Sequence, residues 1–289
     1  MKTTGGRKLT ALPARLLLAN RWGAQALICL QVSVLSGILL ALQYDVAEPY
    51  YSTATIELVI PYGSFWRALH YYSSQGFLLL LFCHLAVILW KNDHSLSRSA
   101  WVRLTATVPV TLLLMFTGYV LRGDATGEAA GAIAEQIAHS IPLAGDLLNQ
   151  LLFDVSASGA RRIYANHLAG LMALGGFCAW PHLRRYTTRW QDHLLLLLLL
   201  PALSILVAAP MEPDHIGLLH IAGPWFFLGL QELLRYLPVF WAGVAAPAAI
   251  IIALLALPDE EQRRRRWLLF ICAWLVGYAI LSWISYLRI

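Results

Sequence analysis

Four histidines in apolar surroundings constrain this chain more than any other feature. His70 and His84 lie 14 residues apart in one long apolar segment, and His167 and His182 lie 15 apart in another. At 3.6 residues per turn both offsets return to nearly the same helix face, and at about 1.5 Å per residue each pair spans roughly 21–22 Å. Two such helices side by side would present two facing His–His pairs, one near each side of a lipid bilayer. An ionisable side chain inside a membrane is costly and marks a functional site by default. A single histidine in an apolar helix serves more often as a hydrogen-bonded structural group. Four at matched spacing point to axial ligation of two six-coordinate haem irons.

The membrane setting follows from composition. Hydrophobic residues make up 59% of the 289 and charged residues only 13%, about half the ~25% usual in soluble domains. Several stretches reach or approach the ~20 apolar residues needed to cross a bilayer. The expected fold is an all-α integral membrane protein with about seven transmembrane helices, a four-helix dihaem bundle followed by three more. The spans run near Gly23–Gln43, Phe65–Trp90, Val102–Leu121, Ile163–Leu183, His193–Ala209, Pro238–Leu257 and Trp267–Tyr286. Residues 122–160 are less apolar, and 128–153 read as short interfacial helices broken at Ile141–Pro142. The N-terminal apolar stretch is longer than a signal-peptide core and lacks a clear cleavage site, so it reads as a retained helix.

Basic residues set the orientation. Lys2, Arg7, Lys8, Arg15 and Arg21 precede the first span; Lys91, Arg98 and Arg103 separate the second and third. Arg184, Arg185 and Arg189 follow the fourth, and Arg263–Arg266 precede the seventh. With seven spans all of these share one side, which the positive-inside rule makes cytoplasmic. Asp45, Glu48, Glu57, Asp124, Glu128, Asp146, Asp154, Glu212 and Asp214 collect on the other. The net charge of +5 is therefore a topology signal, with no nucleic-acid partner implied. The expected location is the inner membrane of a prokaryote, multi-pass, with the N-terminus in the cytoplasm. His70 and His167 then lie towards the outer face, and His84 and His182 towards the inner. The four cysteines, Cys29, Cys83, Cys178 and Cys272, form neither CxxC nor CxxCH, so covalent haem attachment has no motif here.

With these residues in view, the chain resembles cytochrome b of the quinol:cytochrome oxidoreductases, and within them the chloroplast-like branch, whose second histidine pair is also 15 apart. Trp66-Arg67-x-x-His70 and Arg162-x-Tyr164-x-x-His167 are similar to the family's approaches to its ligands. Arg67 and Arg162 either pair with haem propionates, as the resemblance implies, or snorkel to the membrane interface. Gly23 and Gly37, and Gly118 followed by Tyr119, fall where the family packs glycine against porphyrin, because a flat macrocycle needs the backbone close. Leu104 stands where a further such glycine is often found, and Ser73 and Ser74 stand where one often follows the first ligand. Ser140-Ile141-Pro142-x-x-Gly145 resembles the roof of an outer quinol site. By this likeness residues 1–190 form the dihaem domain, and residues 191–289 resemble the family's second half.

In that second half, Gly223-Pro224-Trp225-Phe226-Phe227-Leu228, then Leu234-Arg235 and Pro238, are similar to the Pro-Glu-Trp-Tyr signature and what trails it. The family glutamate is replaced by Pro224 and the tyrosine by Phe226, a variation that looks like that of menaquinone-using members. Arg21 stands where the chloroplast branch has the cysteine that holds an extra haem. The resemblance thus implies two non-covalent b haems, a quinone, and iron–sulfur or multihaem cytochrome subunits as partners in a dimeric complex.

Proton chemistry needs candidates. Glu232 lies within the Trp225–Pro238 stretch and is either a displaced acceptor for the outer site or a surface residue of a short helix. Tyr119, Asp124, His139, His215 and His220 are alternatives on that side, each read first as structural or solvated. Asp192 matches a family aspartate near the inner quinone, with His193 and Arg185 as neighbours, or is a loop charge. Two functions compete: a quinol-oxidising electron-transfer subunit, and a dihaem anchor that relays electrons between a peripheral oxidoreductase and one quinone site. A non-redox transporter or scaffold leaves the matched histidines unexplained.

Overall fold

The computed structural model describes residues 20–91, 96–214, 221–257 and 261–288. Lys2, Arg7, Lys8, Arg15, His215 and His220 lie outside the described residues. Every regular element among the described residues is helical. In chain order these are α1 (Trp22–Ala41), α2 (Pro49–Leu58), α3 (Gly63–Lys91), α4 (Arg98–Val120), α5 (Ala125–His139) and α6 (Gly145–Leu148). They continue with α7 (Ala157–Ala165), α8 (Leu171–Leu183), α9 (Leu194–Leu206), α10 (Leu228–Leu233), α11 (Ala246–Ala256) and α12 (Glu261–Tyr286). Among the described residues α1, α3, α4 and most of α12 are long and apolar enough to cross a membrane, and Trp190–Leu206 and Trp241–Ala256 are shorter apolar helices. The fourth expected span is the run α7–α8, joined through a π-turn at Asn166–Gly170.

Capping and breaking residues explain the boundaries. Ser97, Asp124 and Ser156 accept from the backbone N–H three residues on and open α4, α5 and α7, each satisfying a donor that a helix start leaves orphaned. The expected break at Ile141–Pro142 is present: α5 ends at His139, and Leu143 takes a positive φ of 64° before α6. Within the apolar helices, hydroxyls turn back on their own carbonyls. Ser36 donates to Val32, Ser73 to Leu69, Ser74 to His70 and Ser204 to Leu200, which hides a donor that hydrocarbon would leave unmet.

The chain divides into two compact units, each drawn from separated stretches. One takes the chain up to Leu42, Glu57–Ser95 and Thr187–Ala209. Its α1 lies along α3, and α9 packs on the same helix through Cys29, Leu69 and Leu200. Arg67 and Tyr72 donate to the carbonyls of Ala209 and Ala208 at 2.6 and 3.1 Å, strapping the chain after α9 to α3. The second unit takes Gln43–Ile56, Leu96–Tyr186 and Pro210–Ile289. There α4 packs along α8, α5 covers α4 through Phe116, Ala130 and Ala134, and α10 and α11 pack on α12. Trp101 and Trp274 donate their indole N–H to the carbonyls of Leu254 and Ala246 at 2.7 and 3.1 Å.

The second unit is gathered at one end by a buried ion pair. Asp124, fully buried, caps α5 and pairs with Arg122 at 2.8 Å. The same carboxylate accepts from Gly127 N–H, from Thr126 and from Glu212 N–H at 2.9, 3.1 and 2.9 Å. Gly123 between them has φ 68°, and a Cβ there would stand 2.5 Å from Tyr50 N, so glycine alone fits this corner.

Candidate functional site

Two of the four histidines sit in equivalent constructions, one in each unit. In the first, the His70 ring lies against Gly37 of α1, where a Cβ would stand 2.8 Å from its Cε1. Nδ1 donates to the Ser33 carbonyl at 2.8 Å, and the Ser36 hydroxyl donates to that same carbonyl at 3.1 Å. In the second, the His167 ring lies against Gly118 of α4, where a Cβ would again stand 2.8 Å from Cε1. Its Nδ1 donates to the Leu114 carbonyl at 3.1 Å and meets the Thr117 hydroxyl at 3.0 Å. Thr117 also donates to Leu114 at 3.0 Å. The pattern is shared: a Ser/Thr–Gly pair on the neighbouring helix, with the carbonyl four residues before the glycine receiving the imidazole. A carbonyl only accepts, so the proton is on Nδ1 and the lone pair on Nε2. A second partner that fixes ring and tautomer in this way is what a metal-ligating histidine requires.

His84 repeats the glycine contact, with a Cβ on Gly23 falling 2.9 Å from its Cε1. His182 packs beside Tyr186, ring centroids 5.0 Å apart, directly after Pro181 in the last turn of α8. These side chains fit b-type haem: two imidazoles with their tautomers fixed, and glycines beside three of the four rings. Among the described residues no three His, Cys, Asp or Glu side chains converge.

The two arginines expected at propionates already hold carboxylates. Arg67, buried, donates Nε to Glu57 at 2.5 Å. Arg162 pairs with Asp154 at 2.6 Å and donates Nε to the Gln150 carbonyl at 2.6 Å. Hydrogen bonding from Ser156, with the Arg162 guanidinium beside it, holds the Asp154 carboxyl below the usual carboxylate range.

Pro224, extended at φ −60° and ψ 146°, leads into a 3₁₀ turn over Trp225–Phe227. Phe226 is buried, while Trp225 is exposed. The backbone just before Pro224 is clamped. Gln231 accepts from Gly223 N–H at 2.8 Å and donates to the Ile221 carbonyl at 2.7 Å, and Tyr119 donates to Ala222 at 3.1 Å. Gln231 carries no sequence signal, because an amide on a short helix is ordinary until its loop is seen. Tyr278 of α12 donates to the Phe226 carbonyl at 2.7 Å.

Glu232 is fully buried and points to the end of α12. It accepts from Tyr236 at 2.6 Å and lies 3.3 and 3.4 Å from Arg288 and Arg235. Its neighbour Gln231, not Glu232, faces the loop before Pro224. Of the alternatives, Asp124 is saturated by Arg122 and the donors around it, and His139 pairs with Asp146 at 2.9 Å on the surface. Asp192 pairs with Arg21 at 3.2 Å, both largely exposed. His193 beside it is buried, and its Nε2 has no hydrogen-bond partner among the described residues.

Comparison with known proteins places the chain in a family. The profile of the family described as Cytochrome b/b6/petB matches residues 9–175, a stretch that holds His70, His84 and His167. Cytochrome b6 of Heliomicrobium gestii is 28% identical over 159 residues, covering 53% of this chain and 74% of that one. Cytochrome b6 of Heliobacterium modesticaldum is 27% identical over the same coverage. A solved structure titled hyperthermophilic respiratory Complex III superposes with a TM-score of 0.66 over 92% of this chain and 83% of that one, at 19% identity. With more than half of its length matched by the profile, this chain belongs to the cytochrome b/b6 family of membrane electron-transfer proteins.

Proposed function

We propose that this cytochrome b oxidises a quinol, menaquinol by the Pro224–Phe226 variation, as the membrane subunit of a redox complex. One observation carries the reading: the shared Ser/Thr–Gly–carbonyl construction that presents His70 and His167 with Nε2 as the ligating atom. His70 and His167 would hold one haem on the outer side, and His84 and His182 would hold another on the inner side. Bound haem supplies one-electron transfer at potentials set by its ligands, nearby charge and burial.

The residues divide the work. Quinol sits between the 122–160 segment and the Gly223–Pro238 stretch, which Gln231 and Tyr119 hold in shape. Oxidation would release two electrons and two protons. The protons would leave on the outer side with Glu232 as the candidate acceptor. One electron would go to an iron–sulfur or multihaem partner, and haems held at the histidine pairs would supply the path of the other to an inner quinone. Arg67 and Arg162 would hold the propionates, with Glu57 and Asp154 keeping the guanidiniums in place. On the inner side Asp192 supplies a proton to the reduced quinone. Arg21 holds that carboxylate, and no third, covalent haem attaches at its position. A second reading, a dihaem anchor with one quinone site, is favoured by Pro224, which cannot accept a proton.

A pyridine haemochrome assay on the purified complex is expected to give two non-covalent haems per chain. One haem, or haem that survives acid–acetone extraction on this chain, overturns the ligand assignment. The role of Glu232 as outer-site proton acceptor is tested by Glu232→Gln. Slower quinol-driven haem reduction with a shifted pH dependence supports it, since a useful base must lie within hydrogen-bond reach of the proton it takes. A wild-type rate with a lower unfolding temperature assigns Glu232 to holding Arg235 and Arg288 instead.

A further inference from the structure

The helix that presents His167 is tied to the roof segment by the residue immediately before the ligand. Asn166 donates its carboxamide N–H to the Leu151 carbonyl at 2.5 Å. Arg162 donates to Gln150 in the same segment. Both accepting carbonyls belong to a π-turn at Asn149–Phe153, and Asn166 and His167 open the second π-turn, Asn166–Gly170. A π-turn departs from the α-helical bonding ladder, and such turns concentrate at functional sites. Here the two turns are joined by a side chain. Gly170 makes the joint possible, since a Cβ there would stand 2.5 Å from Asn166 Oδ1.

The same roof turn reaches the substrate stretch through packed rings. Phe153 meets Phe116 at 6.0 Å between centroids, and Phe116 meets Phe227 at 5.6 Å, in the turn that follows Pro224. His167 is thus held at two points: at Nδ1 by Leu114 on α4, and through its chain neighbour Asn166 by Leu151 of the roof. A shift of the roof would act on the second of these and turn the imidazole about the first.

We propose that Asn166 is a positioning residue for the outer haem ligand, coupling occupancy of the outer quinol pocket to the iron bound at His167. The inference rests on the haem and quinol assignments above. Orientation and hydrogen bonding of an axial ligand tune the iron, so coupling is read at the metal as well as in turnover. By linkage, it also appears as a difference in quinol-analogue affinity between oxidised and reduced outer haem.

Two variants of the purified complex test this. Asn166→Leu keeps the size and removes the hydrogen bond, and Gly170→Ala pushes the carboxamide off Leu151 while leaving Asn166 in place. Low-spin electron paramagnetic resonance, and binding of a hydroxynaphthoquinone analogue under oxidising and reducing conditions, are the measurements. Both variants are expected to shift the outer haem signal and leave the inner one unchanged. The oxidised-to-reduced affinity ratio is expected to change by about two- to thirtyfold, the range of residues that carry coupling. Selective loss of the outer haem from Asn166→Leu supports the same role, and Gly170→Ala then supplies the affinity ratio. Wild-type signals and ratio in both variants overturn the positioning role alone. A wild-type complex without two low-spin signals overturns the haem assignment beneath it.

Discussion

The helix that carries His70 and His84 runs unbroken from Gly63 to Lys91, whereas the run that carries His167 and His182 is an α-helix, a π-turn and a second α-helix. The spacings differ to match: 14 residues in the first and 15 in the second. A π-turn holds one residue more than an α-turn, so the longer spacing completes the same number of turns. The extra residue has a further consequence, because the widened turn lets Asn166 leave the helix for Leu151. Beside His70 the unbroken helix meets α1 instead, through the Ser33–Ser74 hydroxyl pair at 2.6 Å. One ligand helix is a rigid post, and the other is a post fastened to the roof.

The largest effects are expected at the four histidines proposed as ligands. His70→Ala and His167→Ala are expected to remove one and the same haem spectral component, and His84→Ala and His182→Ala the other. Redox-resolved spectra of the four variants check this. If His70→Ala and His84→Ala erase the same component, the two helices do not share haems and the comparison between them has no functional meaning.

The units also differ in how they use charge. Asp124–Arg122 in the second unit is buried and saturated, while Arg21–Asp192 in the first is exposed. Asp124→Ala leaves a buried guanidinium unpaired and is expected to cost about 3–5 kcal/mol. Arg21→Gln is expected to cost no more than about 1 kcal/mol, the worth of a surface pair. Thermal unfolding of the two variants in detergent measures both, and equal losses would show that burial does not separate the units.

The smallest effect is acid-dependent and confined to the tethered helix. Asp154 titrates below its ordinary range when folded, so its stabilising contribution is present above the unfolded value of about 3.9 and is lost as pH falls through the folded one. Asp154→Asn is expected to lose that small contribution at neutral pH and, having no carboxylate to protonate, to remove the acid-side decline, so that variant and wild type converge as pH falls. Unfolding temperatures from neutral pH into the acid range give the curve, and a variant that stays below the wild type by the same amount at every pH would mean that Asp154 acts through packing instead of charge.

The amino-acid sequence by itself determined the helical membrane fold, the positions of the long apolar spans, the interrupted roof near Pro142 and the histidines, because each rests on local periodicity, length and turn chemistry. Gly37 and Gly118 stood out as glycines that leave room for a flat macrocycle, whereas the structure shows each against an imidazole ring, beside partner residues the sequence does not mark. Ser36 and Thr117 read as ordinary small residues in a span until the tertiary structure shows each donating to the carbonyl that also receives an imidazole. Glu232 was visible as a carboxylate near Pro224, yet which way it faces is a matter of helix phase. A six-residue helix turns Gln231 to the loop and Glu232 to Arg288. Likewise 14 and 15 residues both look like the same face on paper. Only the folded chain shows that the second count contains a π-turn, since a widened turn is stabilised by what its displaced groups meet across the fold, here Leu151, and a one-dimensional pattern holds no record of that partner.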